Sequence, residues 1–395
     1  MLYLIIRPLA RVFLFVFFRK IYLFGKENIP KSGPVILASN HPNAFVEACI
    51  YAVIQPRPVH FLTRADVFKS PIANRILRSL NMLPIYRFKD GYSSLKNNEA
   101  TFNSCYEILG KGGVVIIFSE ASCVSEKRLR PLQRGTARLA ISALESQSLD
   151  NVSVVPIGVN YAKLAGIRGE VMINIGTPLN AKDYRKRYEA EPNQTLKEFT
   201  HDLEECLKPM VIHFDNKEVE RKAEYLLDEA VCEYKSSFWP PVENNQNLFK
   251  NLKSMVDRWN ENSEIILGDL RLKNYIYQPY VSEVKYSTLG DEKWLNGIFL
   301  VAMFPIFLVG FLINLPPYYL AKYIAYNKVK NIEFHLSVRM SVMMIGSCIW
   351  GMIMWFLLRA YFSFWVSTLI VIGSFLLGYF AIFYKEQWSA FRYDT

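Results

Sequence analysis

Three stretches without a single Asp, Glu, Lys or Arg (residues 295–321, 340–358 and 360–384) fill most of the last hundred positions of the chain. Each is about long enough to cross a ~30 Å hydrocarbon core as a helix. They divide the molecule into a membrane part and the remainder, and they leave two topologies to weigh. If all three cross, a cytoplasmic main domain puts the linker with Lys322, Lys328, Lys330 and Arg339 outside, against the tendency of basic loops to stay inside. If the first turns back at Leu315, Pro316 and Pro317, the linker stays inside with Lys385 and Arg392, and the last two form a hairpin with Arg359 at its outer turn. The second arrangement is the expectation, with residues 293–395 as transmembrane or re-entrant helices; protein or water must then satisfy the backbone at the prolines.

Residues 1–24 are apolar and aromatic but interrupted by Arg7, Arg11, Arg19 and Lys20, and no small-residue cleavage site follows. The longest uncharged stretch there, 12–18, is too short to span. A helix lying in the interface with basic side chains reaching to water is expected. The chain has 395 residues and a net charge of +10, which points to an anionic partner. Membrane segments make that partner lipid or phosphate; no interleaved basic and aromatic reader motif supports nucleic acid. Six scattered cysteines (Cys49, Cys105, Cys123, Cys206, Cys232, Cys348) show neither a disulfide framework nor metal-ligand spacing. They imply reduced thiols and a domain facing the cytoplasm.

Residues 35–180 alternate short β-branched runs with helical periodicity. Strands are expected at 35–39, 59–63, 114–118, 154–161 and 171–175, with helices near 68–80, 93–109 and 133–148. The expected fold class is α/β, a mixed sheet flanked by helices, over residues 25–215, with loops at the strand ends carrying the site. A charged helical extension is expected over 216–292, with no chemistry in it, and His201 and His213 are expected to be solvated or structural.

Four constellations carry chemistry. His41 stands between Asn40 and Pro42 where a strand ends, with Glu47 downstream. A histidine there suits a general base, and a carboxylate on its second nitrogen would set the tautomer; Asn40 capping a helix with Pro42 in its first turn is an equally open reading. Arg87 follows the apolar segment 83–86 and is able to clamp a phosphate, or simply to be exposed. Residues 112–118 run into Glu120, which either holds substrate hydroxyls or pairs with an arginine. Downstream, the basic loop with Lys127, Arg128, Arg130 and Arg134 suits a phosphate-bearing donor or a solvated face. Last, residues 154–160 form a core strand with Pro156.

The order and separation of these segments over residues 20–215 resemble the glycerolipid acyltransferase family, which includes lysophosphatidate and glycerol-3-phosphate acyltransferases. The resemblance implies an O-acyltransferase in which His41 is the catalytic base, Glu47 orients it, and Arg87 binds the acceptor phosphate. It implies Glu120, Ser119 and the loop arginines Arg128, Arg130 and Arg134 as further substrate-binding residues, acyl-CoA or acyl-carrier protein as donor, and neither metal nor cofactor. The expected acceptor is lysophosphatidate. Glycerol-3-phosphate, dihydroxyacetone phosphate or an amino-acid lipid are the alternatives, and a non-catalytic lipid-binding protein is the alternative of another class. The sequence departs from the family pattern at Val46, where the acid usually stands, although a histidine-proline-asparagine variant with the later acid resembles a subgroup. It departs also at Ser119 for proline and at Ala121 for glycine, so that this turn is expected to avoid conformations only glycine reaches cheaply.

Overall fold

Apolar runs with no polar alternation become the centre of a sheet covered on both faces. A computed structural model describes residues 2–86, 96, 98–162, 167–234, 238–262 and 293–393. Over the first 262 residues the elements are α1 (Leu2–Phe17), β1 (Lys20–Phe24), β2 (Val35–Ser39), α2 (Ala44–Ile54), β3 (Val59–Arg64), α3 (Pro71–Ser79), β4 (Met82–Ile85), α4 (Asn98–Gly110), β5 (Val114–Phe118), α5 (Gly135–Ser146), β6 (Ser153–Tyr161), β7 (Glu170–Ile175), β8 (Leu179–Asn180), α6 (Arg185–Ala190), α7 (Pro192–Leu207), α8 (Lys217–Glu233), β9 (Val242–Glu243) and α9 (Asn247–Glu261). The strands form one sheet in the order β4-β3-β5-β2-β6-β7-β1-β9, with β8 beside β6. From β4 to β6 all neighbours are parallel; β6 and β7 are antiparallel. The fold is therefore the mixed α/β sheet expected from the alternation.

Successive strand residues point to opposite faces. Val35, Leu37, Val114, Ile116, Val155 and Ile157 share one core with α1 and α2. Ile36, Ala38, Val115 and Val154 share the other with α4, α5 and α7. A third core lies between β1, β7 and the helices α8 and α9. The sheet thus passes both expected boundaries of the domain: β1 precedes residue 25, and β9 and α9 follow residue 215.

The N-terminal expectation is corrected in part. The helix ends at Phe17, and residues 20–24 are a strand. Arg19 and Lys20 do not reach to water. They are buried and paired, Arg19 with Glu170 at 3.4 Å and Glu386 at 3.6 Å, Lys20 with Glu243 at 2.5 Å. A buried cation needs such partners, and β7, β9 and the last C-terminal helix supply them. α1 still leaves Leu4, Ile5 and Val12 exposed while Leu14 and Phe17 are buried.

The C-terminal part is three helices long and apolar enough to cross a membrane: α10 (Lys293–Lys328), α11 (His335–Arg359) and α12 (Phe364–Tyr393). α11 and α12 are antiparallel, with Trp355 bonded to Thr368 and Gly351 against Phe375. α10 meets α12 at Leu300–Tyr384 and Asn314–Ser374, and meets α11 at Ile313–Trp350, then at Tyr326–Arg339. Its two halves thus run in opposed senses, and the helix changes direction about Pro316 and Pro317. Both ends of α10 lie at the end of the bundle that meets the α/β domain, where Glu386 pairs with Arg168 and Ser337 with Phe45. Pro316 and Pro317 lie inside α10, where each removes an intrahelical donor and crowds the preceding turn, which bends the helix. Asn314 Nδ2, bonded to the carbonyls of Gly310 and Ser374, ties the bend to its neighbours.

Candidate active site

β2, β5 and β6 run side by side in one direction, so their ends meet at one edge, the position at which parallel sheets present side chains to a ligand. β2 stops at Ser39. Asn40 then continues the ladder with its side chain: Nδ2 donates to the Val159 carbonyl at 2.9 Å, and Oδ1 accepts from the Val159 N–H at 2.7 Å. Asn40 therefore anchors the chain to β6 rather than capping a helix; the N-cap of α2 is Asn43. The next residue, His41, is carried out over the sheet edge.

The imidazole of His41 stacks on Phe118 at the end of β5, with ring centroids 3.8 Å apart and planes 14° from parallel. Nδ1 lies 2.5 Å from Glu47 Oε2. The other carboxylate oxygen accepts the Asn43 N–H at 2.6 Å. Nδ1–H donation to Glu47 leaves Nε2 to accept a proton, and among the described residues Nε2 has no hydrogen-bond partner. His41 keeps 16% of its side chain open, whereas Glu47 has none. The shifted acid has a helical reason. α2 begins at Ala44, so Val46 points into the core beneath the sheet, and Glu47 points back across the first turn to His41.

Burial pushes the His41 imidazole down to about 3, and the nearby Arg130 charge adds to this. Burial pushes the Glu47 carboxyl well above the usual carboxylate range, against the Asn43 N–H, which favours its charged form. Both shifts have one cause, the cost of charge in a site closed to water. Burial therefore disfavours the charged form of each partner, the imidazolium as well as the carboxylate.

Glu120 lies beside this pair, with Oε2 accepting the backbone N–H of His41 at 3.1 Å. The same carboxylate accepts the Arg130 N–H on Oε1 at 2.9 Å and an Arg130 guanidinium N–H on Oε2 at 2.9 Å. The Arg130 guanidinium also bonds Ser122 Oγ at 2.7 Å and its carbonyl. Pairing with an arginine, one of the two readings open in the sequence, is therefore present. Glu120 clasps the loop 119–130 to the histidine, a clasp closed further by the Val124 N–H on the His41 carbonyl at 3.3 Å.

The other expected binding residues separate. The side chain of Ser119 is buried and its hydroxyl is bonded to Thr136 at 2.9 Å, because strand alternation turns it to the face opposite Phe118. Arg128 donates to the carbonyls of Phe214, at 3.2 Å, and Asp215, so it fastens the loop to the segment before α8. Arg134 is exposed immediately before α5. Arg87 lies outside the described residues. Ala121 overturns an expectation: its φ is +55°, inside the left-handed region that the substitution of glycine was expected to avoid. Three residues at the site were not among those expected from the sequence. Phe118 supplies the stacking face. Cys123 lies close enough for Glu47 and Glu333 to add to the rise in its thiol pKa, which burial dominates. Ser337, 292 positions away in the chain, reaches the start of α2.

Comparison with known proteins gives three findings. The model of the Acyltransferase family matches residues 20–160. The chain is 29% identical over 117 residues to a glycerol-3-phosphate O-acyltransferase of Saccharomyces cerevisiae, covering 28% of this chain and 16% of that protein. It is 26% identical over 162 residues to a chloroplastic 1-acyl-sn-glycerol-3-phosphate acyltransferase of Arabidopsis thaliana, covering 40% of this chain and 41% of that protein. The chain thus spans less than half the length of these relatives. Among solved structures it is similar to the 1-acyl-sn-glycerophosphate acyltransferase of Thermotoga maritima, with a TM-score of 0.37 and 19% identity over 51% of this chain and 77% of that one.

Proposed function

We propose that the chain, whose residues 20–160 form a domain of the acyltransferase family, transfers an acyl group from acyl-CoA or acyl-carrier protein to the hydroxyl of lysophosphatidate, giving phosphatidate. The observation that carries this reading is the His41–Glu47 contact at the sheet edge, with Nε2 open and burial favouring the uncharged imidazole. Nε2 takes the proton of the acceptor hydroxyl as the oxygen attacks the thioester carbonyl. The tetrahedral intermediate collapses, the carbon–sulfur bond breaks, and the proton on Nε2 passes to the departing thiolate. Glu47 holds the ring in the Nδ1–H tautomer and stabilises the transient imidazolium. The steps call for no metal and no cofactor.

With three donors already on its oxygens, Glu120 acts in this reading mainly by shaping the loop around His41. Recognition of the acceptor phosphate then falls to Arg87 and to the exposed Arg134. Lysophosphatidate is favoured over glycerol-3-phosphate because the membrane helices dock beside the site, at the start of α2, where an acceptor already in the bilayer is at hand. The relative named for glycerol-3-phosphate acylation keeps that soluble acceptor as the second reading. Free cysteines and the basic linker support a catalytic domain on the cytoplasmic face.

The test is acyl transfer by the purified protein in detergent. Lysophosphatidate, glycerol-3-phosphate, dihydroxyacetone phosphate and amino-acid lipids would each be paired with acyl-CoA and acyl-carrier donors. Turnover of lysophosphatidate that disappears in His41→Ala is expected. Turnover of another acceptor alone corrects the substrate; turnover that survives His41→Ala refutes the mechanism.

A further inference from the structure

The start of α2 draws its backbone partners from two side chains, one of its own and one from α11. The side chain of Asn43, its N-cap, makes no capping bond, although the first N–H groups of a helix find no partner inside it. Glu47 takes one of the free donors at this end, the Asn43 N–H. The Phe45 N–H is taken from elsewhere, by Ser337 Oγ at 3.0 Å. Ser337 stands in the first turn of α11 and is 3% exposed. Its neighbours Leu336 and Met340 enter the core that contains Val46, Ile50 and Tyr51. The chain just before α11 closes on the same region, with the Arg64 guanidinium 5.8 Å from the centre of the Phe334 ring and Glu333 near Cys123. The bundle is therefore docked at the turn that holds Glu47.

We propose that Ser337 is a positioning residue for the His41–Glu47 pair: from the membrane bundle, its hydroxyl completes the first turn of α2 and so holds the carboxylate that orients the base. A serine hydroxyl is a good acceptor for such orphan N–H groups. Glu47 lies in that first turn, so any fraying there moves its carboxylate off Nδ1. Catalytic groups tolerate little displacement: an error of about 1 Å costs on the order of 100-fold in rate. In consequence, the base is fully ordered only when the bundle is docked, which ties its competence to the state of the membrane region. The inference rests on the acyl-transfer reading and adds to it a residue from outside the α/β domain.

The test uses the full chain in detergent micelles. Ser337→Ala and Ser337→Thr would be made alone and in a Glu47→Gln background. The readouts are kcat, KM, the melting temperature and the ¹⁵N shifts of the His41 imidazole, which report where its proton sits. Ser337→Ala is expected to lower kcat about 10-fold or more while KM stays within about two-fold, and to change the His41 signal. Ser337→Thr, which keeps the hydroxyl, restores both. In the Glu47→Gln background Ser337→Ala costs nothing further, since its effect passes through Glu47. An unchanged kcat in an active enzyme overturns the proposal. So does an equal loss in the Glu47→Gln background, or a loss that follows the melting temperature and is not restored by threonine. If the unaltered protein turns over no acceptor, the acyl-transfer reading fails. The His41 signal then decides alone: a change in Ser337→Ala that Ser337→Thr reverses supports the positioning role, and an unchanged signal ends it.

Discussion

His41 and Glu47 show how one methylene and one position are accommodated. In the sequence, Val46 occupies the place where the family has its acid, which is what motivates a non-catalytic reading. The helix start at Ala44 accounts for the shifted acid by geometry, because one residue of helix turns a side chain through about 100°. Val46 goes to the core and Glu47 to the histidine. A pH dependence follows. In the proposed mechanism the reactive form is the neutral imidazole, and burial with Arg130 lowers its pKa from the ordinary 6.5. As pH falls through 6.5, an ordinary histidine would take up a proton and activity would drop. Here the neutral form persists, so kcat/KM is expected to hold through pH 6.5 and to fall only on the more acidic side. A kcat/KM profile against pH that already drops by half at 6.5 or above contradicts the shift.

At the scale of an element, the turn after β5 carries a cost that its neighbours enforce. Phe118 must stack on His41, Ser119 must reach Thr136, and Glu120 must meet the His41 N–H; Ala121 takes a left-handed conformation to connect them. That conformation costs a non-glycine residue roughly 1–2 kcal/mol. Glycine removes the strain and adds about 0.5–1 kcal/mol of entropy cost on folding. Ala121→Gly is thus expected to be neutral or to stabilise by up to about 1 kcal/mol, with activity retained, as read by thermal unfolding and turnover. A clear loss of stability, with β5 intact, is the contrary outcome. The α2 start shows the same kind of enforcement from a distance, since its cap comes from α11.

For the whole molecule the question is which side of the membrane each part faces. The reversal of α10 at Pro316 and Pro317 puts Lys328 and Lys330 at the domain end of the bundle, and Arg359, which bonds the Phe362 carbonyl, at the far turn. Single cysteines replacing Lys186, Lys330 and Tyr361, all exposed, test this in vesicles of one orientation with a membrane-impermeant maleimide. Lys330→Cys is expected to react from the same side as Lys186→Cys, and Tyr361→Cys from the opposite side. Reaction of Lys330→Cys together with Tyr361→Cys contradicts the reversal. It would also remove the charge argument for a cytoplasmic domain.

Much of this was legible in the chain because it depends on local periodicity. The buried strands at 35–39 and 114–118 are unbroken apolar runs, and their bounds in the structure agree with the pattern. The three charge-free stretches are legible as helices long and apolar enough to cross a membrane. His41 and Glu120 were visible as polar residues at the ends of apolar strands, where a polar group needs a reason. What the sequence could not carry is pairing between distant parts. The strand at 20–24 is concealed by two basic residues that become neutral in effect only once Glu170, Glu243 and Glu386 fold against them. Whether Glu120 binds substrate or clasps its own loop depended on where Arg130 lies. Ser337 is one hydroxyl in an apolar helix until tertiary contact brings it to Phe45. The sequence by itself determined the elements and the chemical candidates, since propensity and hydrophobic period act between near neighbours. Only the tertiary structure decided which candidates meet, because a hydrogen bond of about 3 Å requires a relative placement that no run of adjacent residues encodes.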